Sequence, residues 1–267
     1  MTGGNILKSL YIMVDLEGIC GIYDREQVMP AGERYYEGRM FMTQDINVCV
    51  EAAKEAGVEK IYVRDSHGNG RSIIWEKLSP KADYYIAGKN ANNRWPGLDE
   101  CEGVILLGFH AMAGASNAIL EHTMSSASIQ NYWINGMKAG ETAVEAAIAG
   151  DHGKPVIMIS GDDKVCAEAK AILPWIVTAE VKKGLGTYYA MLLPQERAHA
   201  LLREKTIEAV KNFPNTKPYI LTKPITLRIE RMERIQLPAN KPYLKVIDGR
   251  TTEVSGPTME ETLLLNY

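Results

Sequence analysis

The stretch Leu10-Tyr11-Ile12-Met13-Val14-Asp15-Leu16-Glu17-Gly18 decides how this chain reads. An unbroken apolar run of this length is the mark of a strand buried on both faces, as in a parallel sheet. Two carboxylates follow at once. Residues i and i+2 of an extended chain point the same way, so Asp15 and Glu17 can reach one site. The pattern recurs: Lys60-Ile61-Tyr62-Val63 leads into Arg64-Asp65-Ser66-His67-Gly68, and Val104-Ile105-Leu106-Leu107 leads into Gly108-Phe109-His110. In an open α/β sheet, ligands bind outside the carboxyl ends of the strands. Asp15, Glu17, His67 and His110 should therefore converge, and imidazoles with carboxylates are donors suited to zinc.

Helices are expected between these strands. Met42, Ile46, Cys49 and Ala53 repeat at helical spacing over Glu37 to Glu55, and Gly57 follows as a natural C-cap. Glu141 to Ala149 is Ala-rich, with Gly150 as its expected cap, and Pro155 to Ile159 reads as a further core strand. Asn90 to Pro96 reads as a surface loop. Alternating strands and helices predict an α/β fold, a three-layer αβα core with a largely parallel sheet, over residues 1–180. After that, a helix from about Pro194 to Asn212, strands at Ile225–Glu230 and Tyr243–Ile247, and a closing helix at Met259–Leu265 predict a smaller α+β portion. This portion, residues 181–267, is expected to complete the same domain by supplying pocket walls or subunit contacts.

A chain of 267 residues can bury a large core without staples. Its net charge of −3, with no basic block, argues against nucleic acid as a partner. The cysteines, Cys20, Cys49, Cys101 and Cys166, form no paired motif and read as small buried hydrophobes. No apolar stretch is long enough to span a bilayer. The polar start, Met1 to Asn5, shows no secretory signal pattern, so a cytoplasmic enzyme is expected. There is no dinucleotide or P-loop glycine signature and no nucleophile elbow.

The remaining histidines and acids leave alternatives open. Asp65 is equally a carboxylate that orients His67 or a structural loop cap. Glu141, at a helix start, suits both a metal and the helix dipole. His122 lies in Glu121-His122-Thr123-Met124-Ser125, among small and hydroxyl residues. Asp162 and Asp163 end a core strand and begin a helix, where Asp162 can be an N-cap. His152 and His199 read as solvent-facing.

In this order, Val14-Asp15-Leu16-Glu17-Gly18-Ile19, Asp65-Ser66-His67, Leu107-Gly108-Phe109-His110-Ala111, His122-Thr123-Met124, Ile134-Asn135-Gly136 with Gly140-Glu141, and Gly161-Asp162-Asp163 resemble the D-aminopeptidase family of zinc peptidases. The resemblance covers nearly the whole chain after about Leu10. It implies a site with two Zn2+ ions per chain, bridged by Asp15, with Glu17, His67, His110 and Glu141 as the other ligands and His122 as the catalytic histidine. It implies aminopeptidase action on short peptides, D-Ala-D-Ala among them, by a metal-activated water. It also implies a homo-oligomer, a decamer with its active sites facing an inner chamber. The chain departs from the family pattern at Phe109, where Tyr is expected, and over Lys182-Lys183-Gly184-Leu185-Gly186, which reads as a loop.

Competing readings use the same residues. An L-specific aminopeptidase or another amidohydrolase needs only different pocket walls. A dinuclear metallophosphoesterase would use Asp65-Ser66-His67 and Gly161-Asp162, but its further histidine motifs are missing from this sequence. A purely structural metal site would be expected to be cysteine-rich and closed.

Overall fold

The computed structural model describes residues 6–89, 93–236 and 241–265. Along the chain these form β1 (Ser9–Val14), α1 (Tyr35–Glu55), β2 (Lys60–Asp65), β3 (Tyr84–Ile86), β4 (Gly103–Leu107), β5 (Ile129–Ile134), β6 (Met137–Ala139) and α2 (Glu141–Asp151). There follow β7 (Val156–Asp162), α3 (Asp163–Ile172), β8 (Val177–Gly186), β9 (Tyr189–Leu192), α4 (Gln195–Asn212), β10 (Ile225–Arg231), β11 (Leu244–Val246), β12 (Thr251–Gly256) and α5 (Met259–Leu264). Residues 90–92 of the expected Asn90–Pro96 loop lie outside the described residues.

Two sheets result. The larger has the order β3-β2-β1-β4-β7-β8-β9. Every neighbouring pair in it is parallel except β8 and β9, which form an antiparallel hairpin. Its strands alternate side chains between two cores. Leu10, Ile12 and Val14 of β1 join Ile105 and Leu107 of β4 against Met42 and Ile46 of α1 and Leu202 of α4. Tyr11, Met13, Val104 and Leu106 face Val144 and Ile148 of α2, Val165 of α3, and Leu227 and Ile229 of β10. The α/β class and the largely parallel sheet are as the apolar runs imply.

The smaller sheet is antiparallel, with the order β11-β12-β10-β5-β6. Its β5–β6 hairpin closes on Asn135 and Gly136, both in the left-handed region (φ 50° and 82°), as a two-residue hairpin turn requires. The two sheets draw on both sides of position 180. β8 runs through it, β9 and α4 complete the large sheet and its cover, and β5 and β6 pair with the C-terminal strands. The Lys182–Gly186 segment, a loop by sequence, is the second half of β8. Gly150 is not a cap: α2 continues to Asp151, and Gly150 lies where a Cβ would be 2.0 Å from the carbonyl of Tyr219.

The strand order sets the site. β1 lies between β2 and β4, so the loops that follow these three strands leave the same sheet edge side by side. Among the described residues, no helix is long and apolar enough to cross a membrane.

Candidate metal centre

The three loops are brought together by backbone contacts. Asp15 N donates to Leu107 O at 2.8 Å and Gly18 N to Gly108 O at 2.7 Å. Gly18 is required here, because a Cβ would sit 1.9 Å from the carbonyl oxygen of Phe109. On the other side of β1, Ser66 N donates to Val14 O at 2.9 Å. Asp15, Glu17, His67 and His110 therefore meet at the carboxyl ends of β1, β2 and β4. Glu141 arrives from the first turn of α2, and its Oε1 accepts from Met124 N at 2.7 Å. His122 comes from the long connection between β4 and β5.

Two groups of donor atoms lie within 4.8 Å of one another: Asp15, Glu17 and His67, and His110, His122 and Glu141. His67 Nε2 is 3.3 Å from Glu17 Oε1. His110 Nε2 is 3.4 Å from Asp15 Oδ2 and 3.3 Å from Glu141 Oε1, which joins the two groups. His122 Nε2 is 3.8 Å from Glu141 Oε1, and its ring stacks on that of His110 at 4.0 Å between centroids. Each histidine is held from behind. His110 Nδ1 lies 3.0 Å from Ala111 O, His122 Nδ1 2.8 Å from Leu120 O, and His67 Nδ1 3.2 Å from Ser72 Oγ. With Nδ1–H donated to a carbonyl, the neutral ring of either His110 or His122 carries its lone pair on Nε2, which in His110 faces Asp15 and Glu141.

The charges are unusual for a dry site. Burial, and then the adjacent Glu17, push Asp15 well above the ordinary carboxylate range. Burial opposes ionisation of Glu17 and Glu141 too, but His67 draws Glu17 well below its usual value, and His110 draws Glu141 down to about 2. His67 is raised to about 9, and His110 is also raised well above its ordinary value; burial opposes both, and Glu17 and Glu141 respectively outweigh it. Burial and the neighbouring His110 lower His122. The carboxylates thus draw cationic protons onto His67 and His110, an electrostatic demand that a divalent ion also satisfies. Glu17 Oε2 and His110 Nε2 are buried without a hydrogen-bond partner, His110 Nε2 being close to carboxylates but poorly aligned to bond them. Carboxylate and imidazole donors, two of them orphaned, fit a zinc-class cation.

The centre opens into a cleft of about 740 Å³. Met29, Leu120, Met124 and Tyr188 line its walls, and Arg25 and Lys89 add positive charge. His122 sits on a strained segment: Leu120 and Met124, two residues to either side, have φ of 50° and 63°. Left-handed backbone at non-glycine residues costs of order 1–3 kcal/mol each and clusters at functional sites.

Several neighbours take roles that residue type did not reveal. Lys182 of β8 is buried, and its Nζ donates to the carbonyls of Glu17, Ile19 and Ile22 at 2.6, 2.9 and 2.7 Å. It clamps the loop that carries Glu17. Asp65 is a loop cap, with Oδ2 accepting from Ser72 N at 2.5 Å and Ile73 N at 3.1 Å. Asp162 caps α3 through Lys164 N and Val165 N and also takes Ile119 N at 2.8 Å. Neither Asp65 nor Asp162 lines the cleft, as a phosphoesterase reading would need. His199 is not simply solvent-facing, since its Nε2 lies 3.1 Å from the buried Asp45.

Comparison with known proteins agrees with this geometry. A family model described as D-aminopeptidase matches residues 9–266. A D-aminopeptidase from Bacillus subtilis (strain 168) is 35% identical over 211 residues, which cover 78% of this chain and 76% of that relative. A solved structure, the zinc-dependent D-aminopeptidase DppA from Bacillus subtilis, described as a self-compartmentalizing protease, matches with a TM-score of 0.88 at 30% identity over 97% of this chain and 95% of the other. A match over almost the full length, joined to a pocket of converging carboxylates and imidazoles, assigns this chain to the D-aminopeptidase family, and with it to the metallo-aminopeptidases.

Proposed function

We propose that the protein is a zinc-dependent D-aminopeptidase that removes residues from the free N-terminus of short peptides, D-Ala-D-Ala among them, with two Zn2+ ions per chain. The observation that carries this reading is the convergence of Asp15, Glu17, His67 and Glu141 at one cleft, with His110 buried behind Asp15 and Glu141 and with buried donor atoms left unpartnered. In this reading Asp15, Glu17, His67, His110 and Glu141 would hold the zinc. Asp15 links the two donor groups, since it belongs to the first and lies 3.4 Å from His110 of the second. When bound, zinc would polarise the scissile carbonyl and lower the pKa of water towards about 7.

The chain's own residues do the rest. His122 keeps Nδ1 on the Leu120 carbonyl and carries a proton at Nε2, from the attacking water to the departing amine. The substrate's ammonium group sits against the carboxylates of the centre. Arg25 and Lys89 offer positive charge to the far carboxylate of a short peptide. Selection between mirror-image residues belongs to the walls formed by Met29, Leu120, Met124 and Tyr188.

The assembly and location follow the same proposal. The β8–β9 hairpin presents Leu185, Tyr188, Tyr189, Met191 and Leu192 to solvent at the open edge of the large sheet. An apolar, unpaired edge strand is an association surface. Thr187 and Tyr188 at its tip also line the cleft, so subunits joined here would meet beside it, which supports the homo-oligomer, a decamer, that the family resemblance implies. The buried cysteines are unpaired, which suits a reducing, cytoplasmic setting.

The purified protein should hydrolyse D-Ala-D-Ala, lose that activity on chelation and regain it with zinc, while L-Ala-L-Ala stays intact. Cleavage of the L-peptide alone would keep the centre and discard D-selectivity; silence towards both would discard the peptidase reading. His122→Ala should lower turnover by about 10²–10⁴-fold, the usual scale of general acid–base catalysis, with zinc content unchanged. His67→Ala and His110→Ala should instead reduce bound zinc; zinc loss in the His122 variant would make that residue a ligand. Lys182→Met, which keeps the bulk and removes the three carbonyl contacts, should raise the zinc concentration needed for half-maximal activity. An unchanged zinc dependence would remove Lys182 from any role in positioning Glu17. Tyr189→Glu with Met191→Lys should shift the assembly to smaller species in light scattering, and an intact large oligomer would place the interface elsewhere.

A further inference from the structure

We infer that Cys20, Asp45 and His199 form a second, separate binding site for a thiophilic divalent cation of the zinc class. Cys20 lies in the turn after β1, Asp45 in α1 and His199 in α4, so three distant parts of the chain supply the donors. Cys20 Sγ is 2.8 Å from Asp45 Oδ1 and 3.7 Å from His199 Nε2, and His199 Nε2 is 3.1 Å from the same Asp45 oxygen. Asp45 Oδ2 accepts from Cys20 N at 3.0 Å, which fixes the carboxylate against the turn. These side chains form one of the clusters whose donor atoms lie within 4.8 Å of one another, and it shares no residue with the catalytic groups.

The geometry is close to that of a tetrahedral site. With a Zn–S distance of about 2.3 Å and Zn–N of about 2.0–2.1 Å, a tetrahedral S···N edge is roughly 3.6 Å. The observed 3.7 Å matches it without movement of sulfur or imidazole. Asp45 Oδ1 lies nearer, within hydrogen-bond distance of both the thiol and the imidazole, so the carboxylate must pivot about its Oδ2 contact with Cys20 N, by under about 1 Å, to make room for the ion, judged by the same bond lengths.

Binding balances simply. The Cys20 thiol loses its proton to solvent, the His199 proton moves from Nε2 to Nδ1, and both lone pairs go to the metal. A divalent ion with one thiolate and one carboxylate is neutral, which limits the cost of holding it out of water. Burial and the adjacent Asp45 hold the proton on Cys20, and a coordinating metal displaces it, since a coordinated thiol is deprotonated outright. Cys20 and Asp45 are buried, while the His199 side chain is 23% exposed and lines an outer cleft with Asn47, Glu51 and Arg203. That cleft shares no residue with the catalytic one, and His199 is the one donor of the three that lines it, so an ion would reach the site past the His199 ring. Because Cys20 is three residues past Glu17, an ion here ties the turn that carries Glu17 to α1 and α4.

Cobalt separates the two sites. The catalytic donors contain no sulfur, so a near-ultraviolet thiolate-to-cobalt charge-transfer absorption can come only from a cysteine. The protein, stripped with chelator and titrated with Co2+, should develop that absorption and bind one ion more than Cys20→Ser, in which the absorption should vanish. His199→Ala, altered at a partly exposed position, should likewise lose one ion and weaken the absorption. Cobalt loading without the absorption, or an absorption unchanged in Cys20→Ser, overturns this site and leaves the catalytic reading untouched. Failure to bind any cobalt overturns both.

Discussion

Three carboxylates, the buried Asp15 and Glu17 and the half-buried Glu141, crowd around one point, and this is the constraint to which the rest of the centre answers. Like charges in a low-dielectric pocket repel strongly, and each also forfeits hydration. Histidines offset this. His67 faces Glu17, His110 lies between Asp15 and Glu141, and both are driven towards the protonated form. Protons are a poor substitute for a cation here, because His110 Nε2 reaches two carboxylates without a well-formed bond to either. A divalent ion would remove that mismatch by accepting lone pairs from both sides.

Such a pocket works only if its loops hold still, and their restraints run through the backbone. Gly18 lets the Glu17 turn touch the carbonyl of Phe109, and Lys182 gathers three carbonyls of that turn. Burying an ammonium is costly, and burial pulls Lys182 down to about 8. Three carbonyl acceptors at 2.6–2.9 Å offset much of that cost while fixing the position of the turn. Asp65 and Asp162 do the same work with opposite sign, each accepting from successive amides at a strand end. Side chains that approach a site through other backbone atoms set the orientation of its ligands.

The catalytic face was legible in the sequence because it obeys a local rule. Apolar runs announce the buried strands, and the residues just past their ends must share one edge. What stayed hidden depended on contacts far apart in the chain. Lys182 and Lys183 read as a polar loop, yet Lys182 is interior because its partners are carbonyls 160–165 positions earlier. β12, with Thr251, Thr252 and Glu253, has no apolar run and exists because β10 and β11 flank it. β5 pairs with β10 across nearly a hundred residues, which no local periodicity reports. Asp65 could orient His67 or cap its loop, and only the position of Ser72 and Ile73 decides for the cap.

His110 and His122 are stacked, share Glu141 as a neighbour, and are both anchored through Nδ1 to a backbone carbonyl, yet their surroundings divide their labour. The His110 side chain is 1% exposed and flanked by two carboxylates, the setting of a group that holds a charge in place. That of His122 is 16% exposed, lies farther from its single carboxylate and opens on the cleft. Left-handed residues on both sides of His122 mean that the chain sustains strain to keep the ring there. A ring fixed through the backbone, with one nitrogen turned to the substrate space, can gain or lose a proton without changing position. That property separates a proton carrier from a ligand, and it is why the proposed catalytic role falls to His122 and not to its stacked neighbour.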